Sequence, residues 1–362
     1  MNVNTLCWVA SQGKIVTSVA AMQIVEQGLI GLDDDCGKFV PALANKDIIV
    51  GFEGDEASTG VEFNPATNIF SFKNPRKPIL KKATKAITLR LLLSHSAGFT
   101  YDFMSSPVQE YLAYEGKIAQ FPESIAHYDQ PLVFEPGTSW AYGTGIDWAG
   151  QVVEAVTKRT LEDYIQENIC AKVGMKNTTF HLEKRPDLPP RMEIGYRIPG
   201  TPLFAGPAPL LSPVKDALGG GGLYSTAEDY GLFLAGLLSD KHPLLSEASL
   251  EEFFRPQVAN RKDLMGLMQG SMKQLMASEY PPETEADYCL GGAVNLTAIE
   301  GRRGAGSIQW TGMSCPHWWI DLKAGVAGAF FTQILPPGDE AAVKCFVELE
   351  VATYKALDNA NQ

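Results

Sequence analysis

Directly ahead of an apolar run that includes Ile15, Val16, Val19, Ala20, Ile24 and Val25 stand Ser11, Gln12, Gly13 and Lys14. The apolar positions recur at helical spacing and stop at Gln27-Gly28, which predicts a helix with a buried face and Ser11 at its N-terminus. Side chains three apart share a face, so the Ser11 hydroxyl and the Lys14 amine become neighbours at the first turn. A nucleophile beside its base is the minimum needed to form an acyl-enzyme. The spacing alone is weak evidence, because 19 Ser and 20 Lys in 362 residues yield roughly one S-x-x-K match by chance. A second match, Ser212 and Lys215, lies in a Pro-rich loop with nothing to fix its side chains, which leaves Ser11 the stronger candidate.

The length is consistent with two domains or one large one, and 45% hydrophobic residues are ample for a core. Lys and Arg number 30 against 42 Asp and Glu, a net charge of -12 that disfavours nucleic acid or an anionic membrane as the main partner. The longest apolar stretches, such as 324–335, fall short of the roughly 20 residues a membrane span needs, and the first residues lack a signal-peptide layout. The expectation is a soluble, cytoplasmic protein. Six scattered cysteines form no C-x-x-C pair, so they read as free, mostly buried thiols and suggest neither a zinc cluster nor a dithiol centre.

Along the chain, 45–85 mixes short strand-like pieces with Gly, Pro and charge, and ends in the basic cluster Lys73, Arg76, Lys77, Lys81, Lys82 and Lys85. That cluster reads either as a solvated loop or as a docking patch for an acidic acyl carrier protein. Helical patterns at 87–93, 110–114, 150–157 and 161–171 make the middle α-rich. The run Gly219-Gly220-Gly221-Gly222 implies close backbone approach, since no G-K-S/T follows to make a phosphate loop. The last third changes period: 307–310, 318–321 and 325–334 predict an antiparallel meander, closed by an amphipathic helix over 340–357. The expected fold class is α+β, with 1–40 and 290–362 forming a sheet-containing region that holds the nucleophile helix, and 41–289 a mostly helical insert.

A Ser-His-Asp hydrolase would announce itself with G-x-S-x-G, and none occurs. Of the five histidines, His95 is the most tempting, and a structural role in a buried turn is the better reading for it. A Ser-Lys pair needs no histidine. Tyr142, presented by the turn Glu135-Pro136-Gly137 to Gly145 just ahead of a helix, is a candidate general base if it stands near a cationic lysine, and a packing aromatic otherwise. Trp310-Thr311-Gly312 ends a strand that can run beside the Ser11 helix and supply a backbone N–H as oxyanion donor.

Taken together, S-x-x-K at Ser11 and Lys14, the tyrosine motif at Tyr142 and Trp310-Thr311-Gly312 resemble the class C type serine β-lactamase and penicillin-recognition family over about residues 6–355. Ala20-Ala21-Met22-Gln23, Glu26-Gln27-Gly28, the stretch 91–98, Phe134-Glu135-Pro136-Gly137 and 222–230 match its intermediate landmarks in order and spacing. The chain looks most like the fungal statin-type acyltransferase and esterase branch, through 142–150, 166–171 and Trp-Thr-Gly in place of Lys-Thr-Gly. The resemblance implies a β-lactamase/transpeptidase-like fold in which Ser11 attacks an acyl carbonyl and Lys14 and Tyr142 share the proton transfers. The N–H groups of Ser11 and Met313 would hold the oxyanion, Gly312 and Trp310 would border the substrate, and Tyr101 would line the acyl pocket. Alcohol or water resolves the acyl-enzyme, and no metal or organic cofactor is called for. Without the cation that grips a lactam carboxylate, Trp310 favours a neutral ester or thioester donor.

Three departures matter. Gly13 replaces the family's usual Thr, and a glycine in a first helical turn costs about 1 kcal/mol relative to Ala, loosening the site. Thr144 stands where lactamases carry Asn, which argues against lactam turnover. Ten residues precede Ser11, where the family places a helix and two strands, so the expectation is that the N-terminal strands are missing and that the sheet exposes an edge. A serine acyltransferase or esterase of secondary metabolism is the leading expectation. A truncated, non-catalytic scaffold or binding relative and a genuine β-lactamase stay open beside it.

Overall fold

The computed structural model describes residues 1–64, 69–120, 122–198, 200–209 and 213–360. Its main sheet is an antiparallel meander of β1 (Ala286–Tyr288), β2 (Ala293–Asn295), β3 (Ile308–Thr311), β4 (His317–Asp321) and β5 (Val326–Phe330), in the order β5-β4-β3-β2-β1. The three expected C-terminal strands are β3 to β5. Two differences have simple causes. At three residues each, β1 and β2 are too short to show a period, and the third expected strand stops at Phe330. Ile334–Leu335 leaves the sheet to pair in parallel with Ile194–Tyr196.

Alternation along the strands sorts the side chains onto two faces. Trp310 opposite Trp318, together with Ala327 and Ala329, looks into the main core. Trp319, Val326 and Phe330 look the other way, under the helix α4 described below. Among the described residues β5 has one sheet neighbour, β4, and its side chains are half-buried.

Helix α1 (Lys14–Glu26) is enclosed more completely than one apolar face would require, since every residue from Lys14 to Ile24 is buried. Two of its polar side chains donate to carbonyls of other segments: Thr17 Oγ1 to Gly219 at 2.9 Å and Gln23 Nε2 to Leu244 at 2.9 Å. Helix α2 (Gly145–Thr157) packs against α1. Helix α3 (Ala227–Leu238) is capped by Thr226, whose side chain accepts the Asp229 N–H, and packs along β5. Helix α4 (Glu340–Ala360) covers the outer face, with Phe346 stacked on His317 at 4.4 Å. Beneath it Arg303 and Glu350, both fully buried, pair at 2.8 Å, and Arg302 joins the same carboxylate.

The stretch 41–289 carries helices such as Leu89–Leu93 and Ser106–Tyr114 and also hairpins, pairing Asp47–Phe52 with Pro78–Lys82 and Val61–Asn64 with Ile69–Phe72. The basic cluster sits on these hairpins. Lys73 pairs with Glu62, Arg76 with Glu110, Lys77 with Glu53, each at 2.8 Å, and Lys82 with Asp47 at 2.9 Å, so much of its charge is already balanced. Among the described residues no helix is long and apolar enough to cross a membrane.

Candidate active site

Ser11 does not open an α-helix directly. It lies in a 3-10 turn, Ala10–Gly13, that feeds into α1 at Lys14. The tighter turn still places positions three apart on one face, and Lys14 Nζ donates to Ser11 Oγ at 3.0 Å. Ala10, immediately before the nucleophile, holds a left-handed φ of 48°. Such a conformation costs a non-glycine residue on the order of 1–3 kcal/mol and survives only where the surroundings impose it. Ser11 is half-buried whereas Lys14 is 2% exposed, so the hydroxyl is reachable and the amine is shielded.

Two loop segments run side by side to bring in the phenols. Residues 95–101 and 141–143 are joined by Ala141 N–H to the His95 carbonyl at 3.1 Å and Tyr101 N–H to the Tyr142 carbonyl at 3.4 Å. The Tyr101 and Tyr142 rings consequently lie 5.4 Å apart, and Lys14 Nζ stands 5.1 Å and 4.9 Å from their centroids. Their hydroxyls are used differently. Tyr101 OH accepts from Lys14 Nζ at 2.9 Å, and Tyr142 OH accepts from Trp310 Nε1 at 3.2 Å. Lys14 Nζ also donates to the Gly220 carbonyl. An ammonium has three N–H donors, and Ser11, Tyr101 and Gly220 supply three oxygens.

Strand β3 contributes the opposite wall. Trp310, 1% exposed, packs against Tyr142 and Tyr288, each at 5.2 Å. An indole therefore stands where the lysine of Lys-Thr-Gly would. The chain then turns at 312–316: the Gly312 N–H is taken by the Pro316 carbonyl at 2.9 Å, and the half-buried Met313 follows beside Ser11's segment. Neither the Ser11 N–H nor the Met313 N–H has a hydrogen-bond partner among the described residues. Gln333 Nε2 and Ser314 Oγ both donate to the Trp8 carbonyl, at 2.8 and 3.2 Å, which ties that turn to the short strand Cys7–Trp8 ahead of the nucleophile.

Electrostatics here are governed by burial. Burial, and then the nearby Asp147, pushes Tyr101 well above the ordinary phenol range, which keeps it a neutral hydrogen-bonding group. Burial and Lys14 hold His95 well below its ordinary value, so it is a neutral ring accepting from the Gly143 N–H at 3.4 Å behind Tyr142. That is the structural role expected of it. The expected site residues Ser11, Lys14, Tyr142, Tyr101, Trp310, Gly312 and Met313 converge, whereas Ser212 of the competing S-x-x-K lies outside the described residues. Two groups were missed: the Gly220 carbonyl and the Asp147 carboxylate. Their signals were the four-glycine run, which implied close backbone approach, and an acid in the first turn of the helix after Tyr142.

Comparison with known proteins bears on this arrangement. The family model described as Beta-lactamase matches residues 1–352. A lovastatin esterase of Penicillium rubens is 30% identical over 343 residues, 92% of this chain and 80% of the relative. A monacolin J acid methylbutanoyltransferase of Aspergillus terreus is 31% identical over 364 residues, 98% of this chain and 83% of the relative. Among solved structures, a mutant of simvastatin synthase from Aspergillus terreus superposes with a TM-score of 0.85 at 30% identity, covering 99% of this chain and 86% of that one. The fold, the converging side chains and these relatives agree: the chain belongs to the Beta-lactamase family, in its fungal statin-type acyltransferase and esterase branch.

Proposed function

We propose that this chain is a serine acyltransferase or esterase of secondary metabolism that works through an acyl-Ser11 intermediate. The observation that carries the reading is the 3.0 Å bond between the buried Lys14 amine and the half-buried Ser11 hydroxyl. Lys14 in its neutral form takes the proton as Ser11 Oγ bonds to the acyl carbon, and the developing oxyanion meets the N–H groups of Ser11 and Met313, which have no partner among the described residues. The C–O or C–S bond of the donor then breaks, and the leaving group takes up a proton. In the second half an alcohol or water gives up its proton as it attacks the acyl carbon, and Ser11 leaves with a proton restored. Tyr142, fixed by Trp310 and facing Lys14, is the group we assign to relay protons to the departing and incoming oxygens.

Trp310 occupies the wall with an indole instead of a cation, which suits a neutral ester or thioester better than a carboxylate-bearing lactam. We read the donor as a small molecule. Carrier-protein docking is the weaker reading because most cations of the basic hairpin cluster already face acids. All six cysteines are free, five of them buried, in keeping with a reducing, cytoplasmic setting. The test is hydrolysis of short p-nitrophenyl esters and of nitrocefin by the parent and Ser11→Ala. Ester turnover in the parent, lost in the variant, with nitrocefin left intact, is the expected pattern. No ester turnover in the parent would support the non-catalytic scaffold, and nitrocefin cleavage the lactamase.

A further inference from the structure

Asp147 stands in the first turn of α2 with 1% exposure, where the helix N-terminus favours an anion. Its Oδ1 accepts the Gly220 N–H at 2.9 Å and its Oδ2 accepts the Tyr101 hydroxyl at 3.4 Å. Tyr101 in turn accepts from Lys14 Nζ, which donates also to the Gly220 carbonyl. The bonds close a ring: Lys14 to Tyr101, Tyr101 to Asp147, Gly220 N–H back to Asp147, and Lys14 to Gly220. Residue 220 has to be glycine for this ring to exist, because a Cβ there would lie 2.3 Å from Asp147 Oδ2. Burying a carboxylate without a cation in direct contact is expensive, so its retention next to the nucleophile calls for a function.

We propose that Asp147 is a positioning residue of the acyl-Ser11 reaction. It acts through Tyr101 and the 219–222 segment: its negative charge balances a proton on Lys14, and its two bonds hold Tyr101 and Gly220 where they take two of the Lys14 N–H groups. The third direction from Nζ is thereby reserved for Ser11 Oγ. This inference rests on the acyl-Ser11 reading. The other titratable groups facing the ring are Tyr142 and His95, beside Lys14, and Tyr128, beyond which Asp102 is bonded to His127 at 3.1 Å. Burial first, then Asp147, pushes Tyr128 well up, and burial and Lys14 hold His95 well down, so both are uncharged near neutral pH. Asp147 is therefore the carboxylate that answers a proton on Lys14.

The experiment is the pH dependence of the rate at which an alkyl fluorophosphonate labels Ser11, a reaction that forms an Oγ–P bond, expels fluoride and depends on the same proton acceptor. Asp147→Asn keeps the shape and removes the charge. A protonated Lys14 then becomes less favourable, so the acidic limb of the profile moves to lower pH by about one unit. Gly220→Ala drives the carboxylate off Tyr101 and is expected to move the limb the same way, which carries the test if the Asn variant fails to fold. Combining Asp147→Asn with Tyr101→Phe should slow labelling no further than the slower single variant, because one acts through the other. A limb that stays in place in variants that melt normally, or single effects that multiply, overturns the proposal. A parent that takes no label at Ser11 fails at the earlier step, the acyl-Ser11 reading itself.

Discussion

Among the described residues the Trp310 indole is the donor that holds Tyr142 OH, and this bond sets where a relayed proton can go. Trp310→Phe keeps most of the aromatic contact with Tyr142 and Tyr288 but deletes the donor. A neutral hydrogen bond of about 1 kcal/mol translates into a loss of roughly five- to tenfold in kcat/KM for ester hydrolysis, and the space left by the smaller ring at this buried position also lowers the melting temperature. An unchanged kcat/KM would mean that the indole only fills space. Lys14→Ala is expected to lower kcat by about 10³-fold or more, as removal of a catalytic base does elsewhere. At this scale the sequence was informative where partners are close in the chain. Ser11 and Lys14 could be paired by their spacing together with the apolar helical run that follows them. The Lys14–Tyr101 bond spans 87 positions and the Tyr142–Trp310 bond 168, and no local pattern encodes either. Tyr101 could be placed at the pocket by resemblance, but its bond to the lysine follows from two loops packing side by side.

Gly13 illustrates how an element differs from its local propensity. Read as a helical position, glycine loosens the first turn, and alanine should stabilise it. In the folded chain residue 13 ends the 3-10 turn against residue 223, and a Cβ would lie 2.9 Å from Leu223 Cβ. Gly13→Ala is therefore expected to destabilise the protein by about 1–3 kcal/mol through overpacking, and to slow acylation by shifting Ser11. A rise in melting temperature would restore the propensity argument. The long elements were legible: α1, α2, α3, α4 and strands β3 to β5 all have a clear period. What escaped was set by tertiary contact, namely the three-residue strands β1 and β2 and the enclosure of α1 on every side. The enclosure includes Thr17 and Gln23, whose hydroxyl and amide N–H donate to the distant Gly219 and Leu244 carbonyls.

Across the whole molecule, the outer face of the sheet depends on groups that must keep a fixed charge. His317, stacked under Phe346, is pushed down to about 3 by burial and then by Arg303 and Arg302. Its folded value lies below its unfolded one, so above about pH 6.5 the ring is neutral in both states and no penalty arises. As pH falls from there toward 3 the unfolded chain gains a proton that the fold refuses, and stability declines by up to ~1.4 kcal/mol per pH unit. His95 adds to the same trend. Melting temperature should therefore drop between pH 6.5 and 5, less steeply in His317→Phe, and an identical slope in that variant would contradict the assignment. Glu350→Gln leaves the buried Arg302 and Arg303 without their carboxylate and is expected to cost about 3–5 kcal/mol in urea unfolding. The architecture was foreseen from its periods and landmarks, whereas this charge network was not, because its members come from separate elements.

The most direct test of the catalytic reading is to mix the protein with a short p-nitrophenyl ester, quench early and map the modified peptide by mass spectrometry. The expected result is one acyl group on Ser11, absent from Ser11→Ala and removed faster when an alcohol acceptor is present. Acylation of another residue, or release of p-nitrophenol by Ser11→Ala at the parent's rate, would contradict it.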